Sequence, residues 1–120
     1  MLLGNFFDIE AIACTESSID CTVTLNIQHP IYAGHFPQQA VVPGVCMMQI
    51  LTELTSVALK KELALKNASQ AKFLIPIIPK KNPGLEVKIK YSAQENGSVK
   101  ITGSIHAEEL TFFKFKGVLA

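Results

Sequence analysis

The sequence contains no arginine and no tryptophan, so all eleven basic residues are lysines. Arginine is the usual bidentate reader of guanine edges and phosphates. Its absence, with a net charge of only +1, argues against a nucleic-acid partner. Cysteine is scarce: Cys14, Cys21 and Cys46 make an odd number without a C-x-x-C spacing, which speaks against a disulfide framework or a zinc site. Three reduced thiols packed in apolar space are expected instead. No apolar stretch approaches the ~20 residues of a membrane span. The opening residues 1–13 lack a basic start, and Asp8 and Glu10 interrupt them before a secretory apolar region forms. A cytoplasmic chain without a membrane segment is the expectation. No repeat or low-complexity stretch marks a boundary, so the 120 residues, 48% of them apolar, are expected to form one domain over 1–120.

Periodicity sets the order of elements. Residues 21–28 alternate strictly, with Cys21, Val23, Leu25 and Ile27 on one face, as in a half-buried strand. Ile9–Thr15 reads as a preceding strand and Glu16-Ser17-Ser18 as the turn between them. His29–Pro43 holds three prolines and Gly34 and reads as a loop. Val45 to about Asn67 is the one long helical candidate, with Pro43 and Gly44 at its entrance and Lys60, Lys61 and Lys66 toward its end. Within it Gln49, Thr52, Glu53 and Ser56 form a single polar stripe at i, i+3, i+4, i+7, and the other faces are apolar. Ala71–Ile78, limited by Pro76 and Pro79, reads as an edge or a bend. Alternation at 85–91, an Asn96-Gly97 turn, alternation at 99–105, a reversal at Glu108-Glu109 and a last run from Leu110 complete an antiparallel meander.

The stretch His29-Pro30-Ile31-Tyr32-Ala33-Gly34-His35-Phe36-Pro37, with Val42-Pro43-Gly44-Val45 after it, closely resembles the HP-x-x-x-GHFP-x-x-x-x-x-PGV signature of FabZ/FabA-type dehydratases. These enzymes remove water from 3-hydroxyacyl chains on acyl carrier protein. The resemblance implies an α+β hot-dog fold, an antiparallel sheet wrapped around one long central helix. It implies acyl carrier protein as partner, no metal or organic cofactor, and a homodimer or higher oligomer whose sites are shared between subunits. Dehydration needs a base for the C2 proton of the thioester, a donor for the charge that develops on the thioester oxygen, and help for the departing C3 hydroxyl. A neutral imidazole suits the first task, which assigns His35. Gly44, at a helix start, offers an unobstructed N–H for the second. Gly34, Phe36, Pro43 and Val45 are expected to line the substrate.

The third task exposes a departure. The family places a carboxylate fourteen residues after the histidine, where this chain has Gln49, and a glutamine four residues later, where it has Glu53. An amide can hold a leaving hydroxyl but cannot protonate it. Either Glu53 has taken over the acid's role, or Gln49 marks a silent subunit that binds acyl chains or pairs with an active dehydratase in a heterodimer. Thioester hydrolysis is a weaker third possibility, because GHFP…PGV is not the pattern of hot-dog thioesterases. The family's LPHR-type opening has no counterpart before Asn5, so closure of the substrate tunnel is expected to differ. His29 is expected to be a structural loop residue, His106 a surface residue and Cys46 a core residue. The lysines at 60, 61, 66, 72, 80 and 81 suit either an acidic carrier or plain solubility.

Overall fold

The structure is a computed structural model that describes residues 1–34 and 40–120. Its elements are β1 (Phe7–Cys14), β2 (Ser18–Leu25), α1 (Ile31–Gly34), α2 (Gly44–Leu59), β3 (Leu65–Phe73), β4 (Gly84–Ala93), β5 (Val99–Ala107) and β6 (Leu110–Leu119). The strands form one antiparallel six-stranded sheet in the order β1-β2-β4-β5-β6-β3. Strands β1 and β3 are therefore its edges. The inward side chains Ile19, Cys21, Val23 and Leu25, Leu85, Val87 and Ile89, and Ile101 and Ile105 are all buried, and they enclose Ile50, Leu51 and Leu54 of α2. This is the hot-dog arrangement of a sheet around one long helix.

Two glycines allow close packing, Gly103 between the sheet and the helix and Gly117 between β6 and β3. A side chain at Gly103 would come within 3.1 Å of Leu51, and one at Gly117 would meet the Asn67 carbonyl at 2.5 Å and the Phe115 ring at 2.8 Å. The reversals follow the residue types: Gly97 takes φ 87° at the Asn-Gly turn, and Glu108 takes φ 54° between β5 and β6.

Four expectations are corrected in detail. Strand β2 begins at Ser18 and ends at Leu25, so Ile27 does not continue its inner face and is largely exposed. The stretch read as a loop contains the single-turn α1 directly after Pro30. The long helix ends at Leu59, not near Asn67. Lys60 turns left-handed (φ 53°) and its N–H caps the carbonyls of Ser56 and Val57. Residues 60–67 have good helix propensity, but tertiary pairing wins. Leu63 is buried, its N–H donates to Ser56 Oγ at 3.3 Å, and Ala64 exchanges backbone hydrogen bonds with Ala120. Strand β3 is consequently formed from Leu65 rather than Ala71, and it does lie at an edge.

Candidate active site

Helix α2 starts with Pro43 as N-cap (φ −61°, ψ 143°), and no side chain caps it. Proline fixes the entering backbone and has no N–H to leave unpaired. The N–H groups of Cys46 and Met47 return to the Pro43 carbonyl at 3.0 and 3.2 Å. Those of Gly44 and Val45 meet no backbone acceptor among the described residues. Two donors at the positive end of the helix are thus without a backbone partner among the described residues.

Gly44 is needed for packing as well. A Cβ there would lie 2.8 Å from the Phe73 ring, which stacks on Phe113 at 4.9 Å, and Phe113 in turn on Phe115 at 5.9 Å. Beside this contact Val41, Val42, Pro43, Met47, Ile75 and Pro76 line an apolar cavity of about 400 Å³. Val45 is 68% exposed and Phe73 53% exposed, so the helix entrance is an open apolar surface. The cavity brings Pro43 and Gly44 together with Phe73. His35 and Phe36 lie outside the described residues; Gly34 ends α1.

The swapped pair is resolved in atomic terms. Glu53 is only 4% exposed, and its carboxylate accepts from three donors. Oε1 takes the N–H of Leu2 at 3.0 Å and of Leu3 at 2.8 Å; Oε2 takes the Leu2 N–H at 2.8 Å and Gln49 Nε2 at 2.7 Å. A buried carboxylate needs such donors, and here the N-terminal backbone supplies them. The remaining stripe residues serve the helix: Thr52 Oγ1 donates to Met48 O at 3.0 Å, and Ser56 Oγ to Thr52 O at 3.0 Å. Of the stripe, Gln49 alone is exposed.

Neighbouring groups behave as structural residues. His29 Nδ1 accepts the Ile31 N–H at 3.1 Å and its ring packs edge-on to Phe6 at 5.3 Å. Burial pushes the Cys46 thiol up from its ordinary value, the opposite of an activated nucleophile. Burial, and then the proximity of Cys46, also holds the Tyr32 phenol protonated, and its hydroxyl has no partner among the described residues. His106 lines a groove on the solvent face of the sheet and bonds to Ser104 and Thr111. Burial lowers its pKa first, then Lys88 does the same, only partly offset by Glu86. The anchoring of Glu53 by Leu2 and Leu3 had no signal in the sequence, because backbone amides carry none.

A family profile described as ApeI-like, ApeI dehydratase, matches residues 11–115. The chain belongs to the ApeI-like dehydratase family. Among curated proteins, this ApeI-like chain is 33% identical over 95 residues to the 3-hydroxyacyl-[acyl-carrier-protein] dehydratase FabZ of Levilactobacillus brevis, covering 73% of this chain and 64% of that one. It is 29% identical over 100 residues to the protein of the same name from an Anaeromyxobacter species, covering 72% and 63%. The chain thus spans somewhat under two thirds of the length of these relatives. Among solved structures, the dehydratase heterocomplex ApeI:P from Xenorhabdus doucetiae superposes with TM-score 0.67 at 18% identity, over 93% of this chain and 96% of that one. A thioesterase from Haemophilus influenzae reaches 0.62 at 13% identity, over 98% and 79%. These two likenesses establish the hot-dog fold. Among the described residues no helix is long and apolar enough to cross a membrane.

Proposed function

We propose that this chain is a dehydratase of 3-hydroxyacyl thioesters carried on acyl carrier protein. The observation that carries the reading is the entrance of α2, where Pro43 and Gly44 line an apolar cavity and the N–H groups of Gly44 and Val45 meet no backbone acceptor among the described residues. The thioester oxygen is held there as negative charge develops. His35 takes the C2 proton, the C2–C3 double bond forms, and the C3–O bond breaks. The imidazolium then returns that proton to the departing hydroxide, which leaves as water. Gln49 holds the hydroxyl. Without a carboxylic acid at position 49, turnover is about 10²–10⁴ slower than with one. Pro43 and Val45, with Gly34 and Phe36 of the motif, border the acyl chain.

Two surfaces support the partners. Strand β3 is an open sheet edge, and Val45, Phe73, Leu74 and Ile75 expose apolar side chains around it, as a surface that a second subunit covers does. On the solvent face, Lys88 and Lys90 of β4 and Lys114 and Lys116 of β6 wall a groove of about 540 Å³ floored by Thr102 and Ser104 of β5. An acidic carrier protein meets complementary charge there. Lys61, by contrast, is engaged with the Gly97 carbonyl at 2.9 Å.

A second reading, a silent subunit that pairs with an active dehydratase, is favoured by one observation: Glu53 has its oxygens filled and Gln49 has no acidic proton. The purified protein alone, given a short 3-hydroxyacyl carrier-protein thioester, decides between them by mass spectrometry. Enoyl product from this chain alone is expected. Product only after a second dehydratase subunit is added would support the silent partner.

A further inference from the structure

Gln49 and Glu53 are not two equivalent polar groups, because a carboxylate only accepts while an amide donates through one end and accepts through the other. Glu53 is held in place independently of Gln49, by the backbone N–H groups of Leu2 and Leu3 at 2.8–3.0 Å. Whatever approaches its Oε2 must bring a proton. The amide of Gln49 therefore has one allowed orientation, Nε2 toward Glu53 at 2.7 Å, with Oε1 turned away. Gln49 is exposed, one helical turn beyond Val45, which is 68% exposed at the open helix entrance.

We infer that Glu53 is a positioning residue, fixed by the N-terminal segment, that locks Gln49 with its Oε1 free to accept a hydrogen bond while one Nε2 proton stays committed to Glu53. The chemical consequence is a preference: the site recognises an acyl chain bearing a hydroxyl donor and is indifferent to one lacking it. This inference rests on the acyl-thioester reading above and adds to it the specificity-determining group. The relocated-acid role for Glu53 is not needed. To act as an acid, one of its oxygens would have to exchange an accepted bond for an O–H, against donors that approach both.

The test uses two inert probes, pantetheine amides carrying a 3-hydroxybutyryl or a butyryl group, whose affinities are read by calorimetry. The wild type is expected to bind the hydroxy probe about 3–10-fold more tightly, as one hydrogen bond to an exposed acceptor contributes. Gln49→Leu is expected to erase that ratio. Glu53→Gln, in which either amide can turn either way, is expected to reduce the ratio and to speed hydrogen exchange at the Leu2 and Leu3 amides. Gln49→Leu should leave that exchange slow, which separates the positioning role from the anchoring one. Binding of both probes with equal affinity by the wild type, or a ratio that survives Gln49→Leu, overturns the inference alone. Failure of both probes to bind overturns the acyl-thioester reading, and the hydroxyl preference with it.

Discussion

The two halves of helix α2 obey different rules. From Ile50 to Thr55 every side chain is buried, polar ones included, and each polar group among them has a partner. From Gly44 to Gln49 the helix exposes Val45 and Gln49, and the N–H groups of Gly44 and Val45 meet no backbone acceptor among the described residues. The inner half is solved as a folding problem: the glycine at 103 lets the sheet close on it, and the buried Glu53 carboxylate is hydrogen-bonded at both oxygens. The outer half is left open at a cost in exposed apolar surface. A surface of that kind persists where something else is meant to bind.

The largest effect that would break this contrast lies in the sheet around the inner half. Gly117→Ala places a methyl group 2.5 Å from a backbone carbonyl, which cannot swing aside. A loss of about 3 kcal/mol, or no folding at all, is expected in urea titration. Glu53→Gln comes next. It removes the charge from the hydrogen bonds that tie residues 2 and 3 to the helix, and a loss of about 2 kcal/mol is expected by the same measurement. Gly44→Ala sharpens the comparison from the outer side. The new methyl group would lie 2.8 Å from the Phe73 ring, but that ring is half exposed and can move. Stability should fall by less than about 1 kcal/mol, while turnover drops on the order of 10²-fold as the donor and the cavity wall shift.

The smallest expected effect concerns pH. The folded state keeps the pKa of His106 below its ordinary 6.5, so it favours the neutral ring. Above that value the ring is neutral whether folded or not. As pH falls below it, the unfolded chain takes the proton first and stability declines. His106→Asn should flatten the change in urea midpoint between neutral and mildly acidic pH.

Strand alternation made most of the sheet legible, since Leu85, Val87 and Ile89 or Ile101 and Ile105 point inward wherever they sit in the topology. The end of α2 was not legible. Residues 60–67 suit a helix locally, and only the pairing of Ala64 with Ala120 and the burial of Leu63 show why the chain turns at Lys60. The site was legible in part. The spacing from Gly34 to Gly44 and the inversion of Gln49 and Glu53 are visible in the residues themselves. The reason a buried carboxylate is tolerated at position 53 is not, because the answer lies in the main chain of Leu2 and Leu3.

On the reading proposed above, the exchange of the two side chains took the acid out of the site while keeping the hydrogen bond between them. The rate of enoyl-thioester formation by wild type and Gln49→Glu, followed by mass spectrometry across neutral and mildly acidic pH, tests it most directly. Two carboxylates a hydrogen bond apart cannot both stay ionised, so the variant gains a shared proton at the open end of the helix. Gln49→Glu is expected to be faster by on the order of 10²-fold, with the gain fading as pH rises and that proton is lost. A folded Gln49→Glu variant no faster than wild type at any pH would contradict it.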